Sequence, residues 1–206
     1  MYMNNSQEHE YVDLGLPSGT LWATCNVGAS KPEDYGDYFA WGETKKKDVV
    51  YDWDTYKYAT GNYGKFKLTK YCDRSDRGSN GFTDTLTELQ PCDDPATANW
   101  GNGWGMPSKE QWEELRDNTK SIWTTRNGVN GRLFTVNNGN SLFLPAAGYR
   151  WRDGLIGVGG YGRYWSSSLY AGNPSHVWGF NVYSGYYGMY YYYRYYGRSV
   201  RAVREN

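Results

Sequence analysis

The sequence predicts an α+β domain made of loops and small antiparallel sheets, with one or two helices. Three observations lead there. Glycine is abundant, at 26 of 206 residues. Apolar residues come in short stretches separated by turn residues, and only one stretch carries a complete helix-start signal. The length suits one domain over residues 11–206, behind a polar tail at residues 1–10.

Taken in order, Tyr11 to Val27 holds two short apolar stretches around Gly15-Leu16-Pro17-Ser18-Gly19, which reads as strand, turn, strand. Residues 33–63 are crowded with Tyr35, Tyr38, Phe39, Trp41, Trp53, Tyr56 and Tyr58 at no sustained period, which predicts irregular loops packed by aromatic rings. Lys45-Lys46-Lys47 reads as a solvated turn. Residues 64–99 read as a long excursion with little regular structure, ending in Asp93-Asp94-Pro95. The helix begins at Ser108. Pro107 precedes it and Gln111 lies three residues on, the pattern of a capping box. Trp112, Leu115 and Trp123 are its candidate core residues, while Glu110, Glu113, Glu114, Arg116 and Asp117 face water. Arg132–Val136 and Ser141–Leu144 flank Asn137-Asn138-Gly139-Asn140, a hairpin signal. Residues 146–162 read as a glycine-rich loop. Trp165-Ser166-Ser167-Ser168 opens a last run of short strands ending in Ser199-Val200-Arg201-Ala202-Val203.

Composition narrows the function. Net charge is zero, but the seven arginines of residues 150–206 stand against one Asp and one Glu. Seven scattered arginines do not form a polybasic patch, so no nucleic-acid partner is expected. Cys25, Cys72 and Cys92 match no metal-binding spacing. A Cys72–Cys92 disulfide stays open, and isolated thiols with a small buried Cys25 are the favoured reading. Asp52, Asp54, Asp93 and Asp94 match no calcium loop and read as solvated turns. No metal or other cofactor is expected. Neither a secretory leader core nor a membrane-length apolar run is present, so this chain is not expected to insert into a membrane.

Of the 22 tyrosines, 12 fall within residues 161–206. The densest run is Tyr190-Tyr191-Tyr192-Tyr193-Arg194-Tyr195-Tyr196. Along a strand, neighbouring side chains point to opposite faces. Some of these rings therefore pack inward while the others face solvent or a partner. Tyrosine favours strands for structural reasons, but it is also the residue that paratopes favour, because it gives large contact area for little conformational entropy. Here it is mixed with Ser184, Gly185, Gly188, Asn181 and His176, which points to a contact surface.

Several motifs carry a family resemblance. Tyr11-Val12-Asp13-Leu14-Gly15-Leu16-Pro17-Ser18-Gly19-Thr20-Leu21-Trp22-Ala23 and Phe39-Ala40-Trp41-Gly42-Glu43 resemble the openings of a paralogous family of Bacteroidetes surface proteins. Asn99-Trp100-Gly101, Trp104-Gly105-Met106-Pro107-Ser108 and Trp112-Glu113 are similar to its helix entry. Leu144-Pro145-Ala146-Ala147-Gly148, Tyr164-Trp165-Ser166-Ser167-Ser168 and Gly197-Arg198-Ser199-Val200-Arg201 continue the likeness over nearly the whole chain. Similar motifs occur in C-type lectin-like folds of the formylglycine-generating-enzyme type.

Residues 165–203 resemble the variable region of diversity-generating retroelement proteins, in which adenine-directed mutagenesis turns asparagine codons into Tyr, Ser, Gly and His codons. The resemblance implies a C-type lectin-like fold and a hypervariable receptor-recognition or adhesion protein. Its ligand would be a protein or a glycan, and its place a cell surface, the secreted space or a phage virion. It also implies diversified, ligand-facing positions at Tyr170, Gly172, Ser175, His176, Gly179, Asn181, Tyr183, Tyr186, Tyr187, Tyr190, Tyr191, Tyr192, Tyr193 and Tyr195. Trp165, Phe180, Arg194 and Val200 would be fixed framework. The rival reading is an invariant surface or assembly module with a structural tyrosine interface.

An enzyme is not expected. The oxidase chemistry of formylglycine-generating relatives needs a C-terminal cysteine pair, and all three thiols precede residue 93. His176 has serines nearby but no nucleophile-elbow motif, and His9 falls in the expected tail. Gly157-Val158-Gly159-Gly160-Tyr161-Gly162 lacks the residues that would make it a phosphate loop.

Overall fold

The computed structural model describes residues 9–62, 64–101 and 103–205, so most of the expected N-terminal tail lies outside the described residues. The strands of the first half are β1 (Tyr11–Asp13), β2 (Leu21–Asn26), β3 (Ala59–Thr60) and β4 (Lys67–Leu68); two helices follow, α1 (Pro95–Trp100) and α2 (Lys109–Asn118). Next come β5 (Lys120–Arg126), β6 (Val129–Thr135), β7 (Ser141–Pro145), β8 (Tyr149–Trp151) and β9 (Gly154–Ile156). The chain ends with β10 (Tyr161–Leu169), β11 (His176–Tyr183), β12 (Tyr186–Tyr193) and β13 (Arg201–Arg204). The pairings are antiparallel, in small sheets ordered β1-β2-β13, β5-β6-β7 and β10-β11-β12, with two short hairpins, β3-β4 and β8-β9. This is the predicted loop-rich α+β arrangement.

α2 forms where its start signal stands. Ser108 accepts from the Gln111 N–H, and the Gln111 side chain accepts from the Ser108 N–H, so two orphan donors of the first turn are satisfied. Trp112 and Leu115 are its buried residues. Trp123 is not on this helix; the chain leaves the helix at Thr119 and Trp123 lies half-buried in β5, a strand the sequence reading missed. α1 was also missed. Asp94 accepts the Ala96 N–H at 2.7 Å and Pro95 opens the helix, a cap-and-proline start that reads equally as a turn. Residues 146–162, expected as loop, contain the β8-β9 hairpin. Gly148 holds φ +66° there, and a Cβ on it would sit 2.2 Å from the Ile156 carbonyl oxygen.

Two aromatic cores carry the structure. One gathers Trp22, Trp112, Leu115, Phe134 and Phe180, with Trp112 stacked on Phe180 at 4.7 Å. The other gathers Trp41, Trp53, Tyr56, Tyr71, Trp165, Val177 and Tyr195. Buried indoles need hydrogen-bond acceptors, and three find backbone carbonyls: Trp41 on Ser166, Trp112 on Trp165 and Trp165 on Phe39. Losing a ring such as Trp112 would cost about 3–5 kcal/mol.

The buried polar groups correct several expectations. Asp93 and Asp94 are not solvated. Asp93 takes the hydroxyls of Tyr58 and Tyr71 and the ammonium groups of Lys57 and Lys70. Burial alone would raise its pKa, but these donors win and hold it down at about 2. Asp94 accepts the Met106 N–H at 2.6 Å, tying α1 to the entry of α2. Asp52 accepts the backbone N–H groups of Asp54 and Thr55, the turn role expected of it. The Lys47 side chain is buried rather than solvated, bridging to Glu43 at 2.9 Å and donating to the Thr55 carbonyl at 2.6 Å. His9 is not part of a loose tail; its ring stacks on Trp100 at 3.9 Å. The three cysteines are free thiols, and Cys25 is half-buried rather than buried.

Candidate ligand-binding face

The tyrosine-rich segment folds as the β10-β11-β12 sheet, with β11 and β12 joined by the two-residue turn Ser184-Gly185. Register decides which rings share a face. His176, Trp178, Phe180 and Val182 lie opposite Tyr193, Tyr191, Met189 and Tyr187. The Phe180 end of this face is covered by α2 and β6, so Phe180 and Val182 are buried and Tyr187 leans edge-on against Phe134 at 5.8 Å. Past the start of α2 the cover ends. There Tyr170 stacks on Tyr191 at 4.1 Å, Trp178 meets Tyr170 edge-on, and His176 lies 4.2 Å from Tyr193.

The opposite face carries Tyr161, Arg163 and Trp165 of β10, Val177, Gly179, Asn181 and Tyr183 of β11, and Tyr186, Gly188, Tyr190 and Tyr192 of β12. Trp165 and Val177 belong to the core. Towards the Ser184-Gly185 turn the face opens. Tyr183, Tyr186 and Tyr190 are 41%, 44% and 51% exposed, and Tyr193 at the strand end is 36% exposed.

Hydroxyl partners separate display from framework more sharply than exposure does. The phenols of Tyr38, Tyr51, Tyr56 and Tyr164 donate to the carbonyls of Ala147, Tyr38, Trp41 and Pro145, and those of Tyr58 and Tyr71 donate to Asp93. Burial pushes the Tyr38 and Tyr56 phenols up to about 12, and pushes those of Tyr58, Tyr71 and Tyr164 up as well. By contrast, the hydroxyls of Tyr170, Tyr183, Tyr186, Tyr187, Tyr190, Tyr191 and Tyr193 make no hydrogen bond to any described residue. Seven donors are thus left for water or a partner.

The chain matches no model of a protein family, no curated protein and no solved structure.

Four positions expected to face a ligand do not stand on the open face. Tyr195 is 2% exposed and packs edge-on against Trp53 at 4.9 Å, because β12 ends at Tyr193 and the chain turns back into the core. Ser175 is buried in the turn before β11, where its hydroxyl donates to Asn173 at 2.7 Å. Gly179 is buried; a Cβ there would lie 2.7 Å from the Tyr164 carbonyl oxygen and 2.9 Å from Arg198 Nη1. Asn181 is buried too, although it lines a cavity between β10 and β11. Gly172 is exposed, while Tyr170, His176, Tyr187, Tyr191 and Tyr192 are half-buried. The four expected framework residues, Trp165, Phe180, Arg194 and Val200, are fully buried. Sequence reasoning missed Trp178, whose place two residues from His176 on one strand was the available signal. It also missed Tyr161 and Arg163, which lie before the segment and carry none.

Arg194 holds the end of the tyrosine strand in place. Its guanidinium donates to the Tyr56 hydroxyl and to the carbonyls of Tyr71, Pro174 and Lys70, all within 3.0 Å. The serines of β10 are engaged as well. Ser167 donates to Glu88 and Ser168 accepts the Lys109 N–H, and no serine hydroxyl bonds His176 among the described residues. Burial holds the His176 imidazole below its ordinary pKa, with the charge of Arg77 adding to the effect. Among the described residues no helix is long and apolar enough to cross a membrane.

Proposed function

We propose that this chain is a non-catalytic ligand-binding protein with a C-type lectin-like fold, whose β11-β12 hairpin and preceding turn form a recognition face diversified by a retroelement. The observation that carries this is the division of the tyrosines. Core phenols have backbone or carboxylate partners, while Tyr170, Tyr183, Tyr186, Tyr187, Tyr190, Tyr191 and Tyr193 have none. Backbone pairing of β11 and β12 does not depend on side-chain identity, so outward positions can vary while the sheet persists. Large rings with free hydroxyls on a rigid sheet give contact area at low entropic cost, the economy seen in paratopes. A protein or glycan ligand on a cell or phage-host surface fits such a face.

The test is to sequence the locus from several isolates. The proposal expects substitutions at Tyr170, Gly172, His176, Tyr183, Tyr186, Tyr187, Tyr190, Tyr191, Tyr192 and Tyr193, beside an adenine-substituted near-repeat and a reverse transcriptase gene. Uniform tyrosines across isolates would overturn it in favour of an invariant assembly module.

A further inference from the structure

A cavity of about 250 Å³ opens between the β10 and β11 ends of the sheet, lined by Gly160, Tyr161, Arg163, Asn181, Tyr183, Ser184 and Tyr192. Three features of its lining call for a ligand. Arg163 lies among the rings of Tyr149, Tyr161 and Tyr192, at 4.1, 4.8 and 5.1 Å, yet while its backbone pairs in the sheet its guanidinium makes no hydrogen bond or ion pair with any described residue. Its five donors are available in a planar fork that matches a carboxylate. Asn181, buried at 7% exposure, donates to the Tyr192 hydroxyl at 2.7 Å and leaves its Oδ1 without a partner. A buried acceptor in that condition costs free energy until a donor reaches it.

Beneath them lies Arg198, fully buried, with its guanidinium 3.5 Å from the Tyr192 ring and 4.4 Å from the Trp165 ring. None of its three nitrogens makes a well-formed hydrogen bond, and the Tyr192 phenol is the group beside it that favours its charge. Burial pushes Arg198 down to about 9; the Tyr192 phenol opposes the shift and the neighbouring Arg163 adds to it. Two cations with no carboxylate between them favour an anion at the cavity. The walls are phenol rings, which stack on the C–H faces of a sugar, and the volume admits a ring as well as a charged group.

We propose that this cavity is the subsite for an acidic sugar of the uronic type, with Arg163 taking the carboxylate, Asn181 Oδ1 accepting from a ring hydroxyl and Tyr161, Tyr183 and Tyr192 forming the walls. The assignment deepens the proposed function, because it names the ligand class of the same face and rests on that face being a recognition surface. Arg163 and Tyr161 precede residues 165–203, so they form a constant anchor, whereas Tyr183 and Tyr192 are positions expected to vary and would tune the site around it.

The experiment is a titration of the ¹⁵N-labelled full chain, followed by NMR, with sodium glucuronate, glucose and N-acetylglutamate amide in separate arms. Glucuronate is expected to shift the backbone amides of Arg163, Asn181 and Ser184 saturably, with at least tenfold tighter binding than either other probe. Arg163→Gln is expected to weaken glucuronate binding at least tenfold while its amide spectrum stays folded. Absence of saturable shifts, equal binding of glucose, equal binding of N-acetylglutamate amide, or wild-type affinity in Arg163→Gln would each overturn the assignment. Failure here leaves scatter among isolates untouched, and uniform loci would leave a glucuronate site standing, so the two readings fail separately.

Discussion

The division between framework and displayed tyrosines makes a quantitative prediction about single oxygen atoms. Tyr→Phe removes one hydroxyl and little else. At Tyr56 that hydroxyl donates to the Trp41 carbonyl at 2.7 Å and accepts from Arg194 Nε at 3.0 Å, both in the interior. Removing it loses a neutral hydrogen bond of about 1 kcal/mol and a charge-assisted one of roughly 1.5–3 kcal/mol. Tyr56→Phe is therefore expected to destabilise by about 3 kcal/mol. Tyr38→Phe, which loses one bond to the Ala147 carbonyl, should cost about 1–2 kcal/mol. The same change at Tyr183, Tyr186, Tyr190 and Tyr193 removes hydroxyls with no protein partner. Each should fall within about 0.5 kcal/mol of wild type, the usual range for surface changes. Urea unfolding followed by tryptophan fluorescence reads the difference, provided the slope with denaturant is unchanged. A loss at the four sheet positions comparable to that of Tyr56→Phe would refute the reasoning, and so would a silent Tyr56→Phe.

Other outcomes follow from the same contacts. Arg194→Met leaves the carbonyls of Tyr71, Pro174 and Lys70 without their donor and should cost about 3–5 kcal/mol in the same urea assay; Arg194→Lys should rescue little, since an ammonium cannot span the four acceptors. Gly179→Ala places a Cβ against the Tyr164 backbone and should destabilise by about 1–3 kcal/mol, whereas a displayed position would tolerate it. Asp93, held at about 2 in the fold against 3.8 for its ordinary value, contributes stability that is full above about pH 4 and is lost as pH falls through the folded value. Wild type should therefore lose roughly 2 kcal/mol between pH 4 and pH 2 that Asp93→Asn does not lose, as read by unfolding curves at each pH.

Local signals in the chain were legible where chemistry is local. The capping box at Ser108 and Gln111 marked α2 correctly, and Asn137-Asn138-Gly139-Asn140 marked the β6-β7 hairpin, because both depend on residues within a few positions. The segment of β8 and β9 reads as loop because Gly148, Gly154 and Gly157 resemble punctuation, while what fixes the hairpin is pairing of Tyr149 with Ile156. Asp93 and Lys47 looked like solvated charges; their partners lie on other segments, such as Tyr58 and Tyr71 for Asp93, and no local pattern announces them. In the site, alternation along the tyrosine run was the correct idea but was carried too far. It holds for the backbone register of β12, although the Tyr190 and Tyr191 rings stack at 4.9 Å on this edge strand, and it fails at Tyr195, where the strand has ended and Arg194 turns the chain inward. Gly179 shows the complementary limit: a small residue in a diversified segment looks displayed until the Tyr164 carbonyl is found above it.

Nitration of the native chain with tetranitromethane, mapped tyrosine by tyrosine by mass spectrometry, tests the central claim most directly. Accessible phenols with no protein partner should react first, so Tyr183, Tyr186, Tyr190 and Tyr193 should be modified while Tyr38, Tyr51, Tyr56, Tyr71 and Tyr164 stay intact until unfolding. Equal rates for the two sets, or protection of the four sheet tyrosines, would contradict the account.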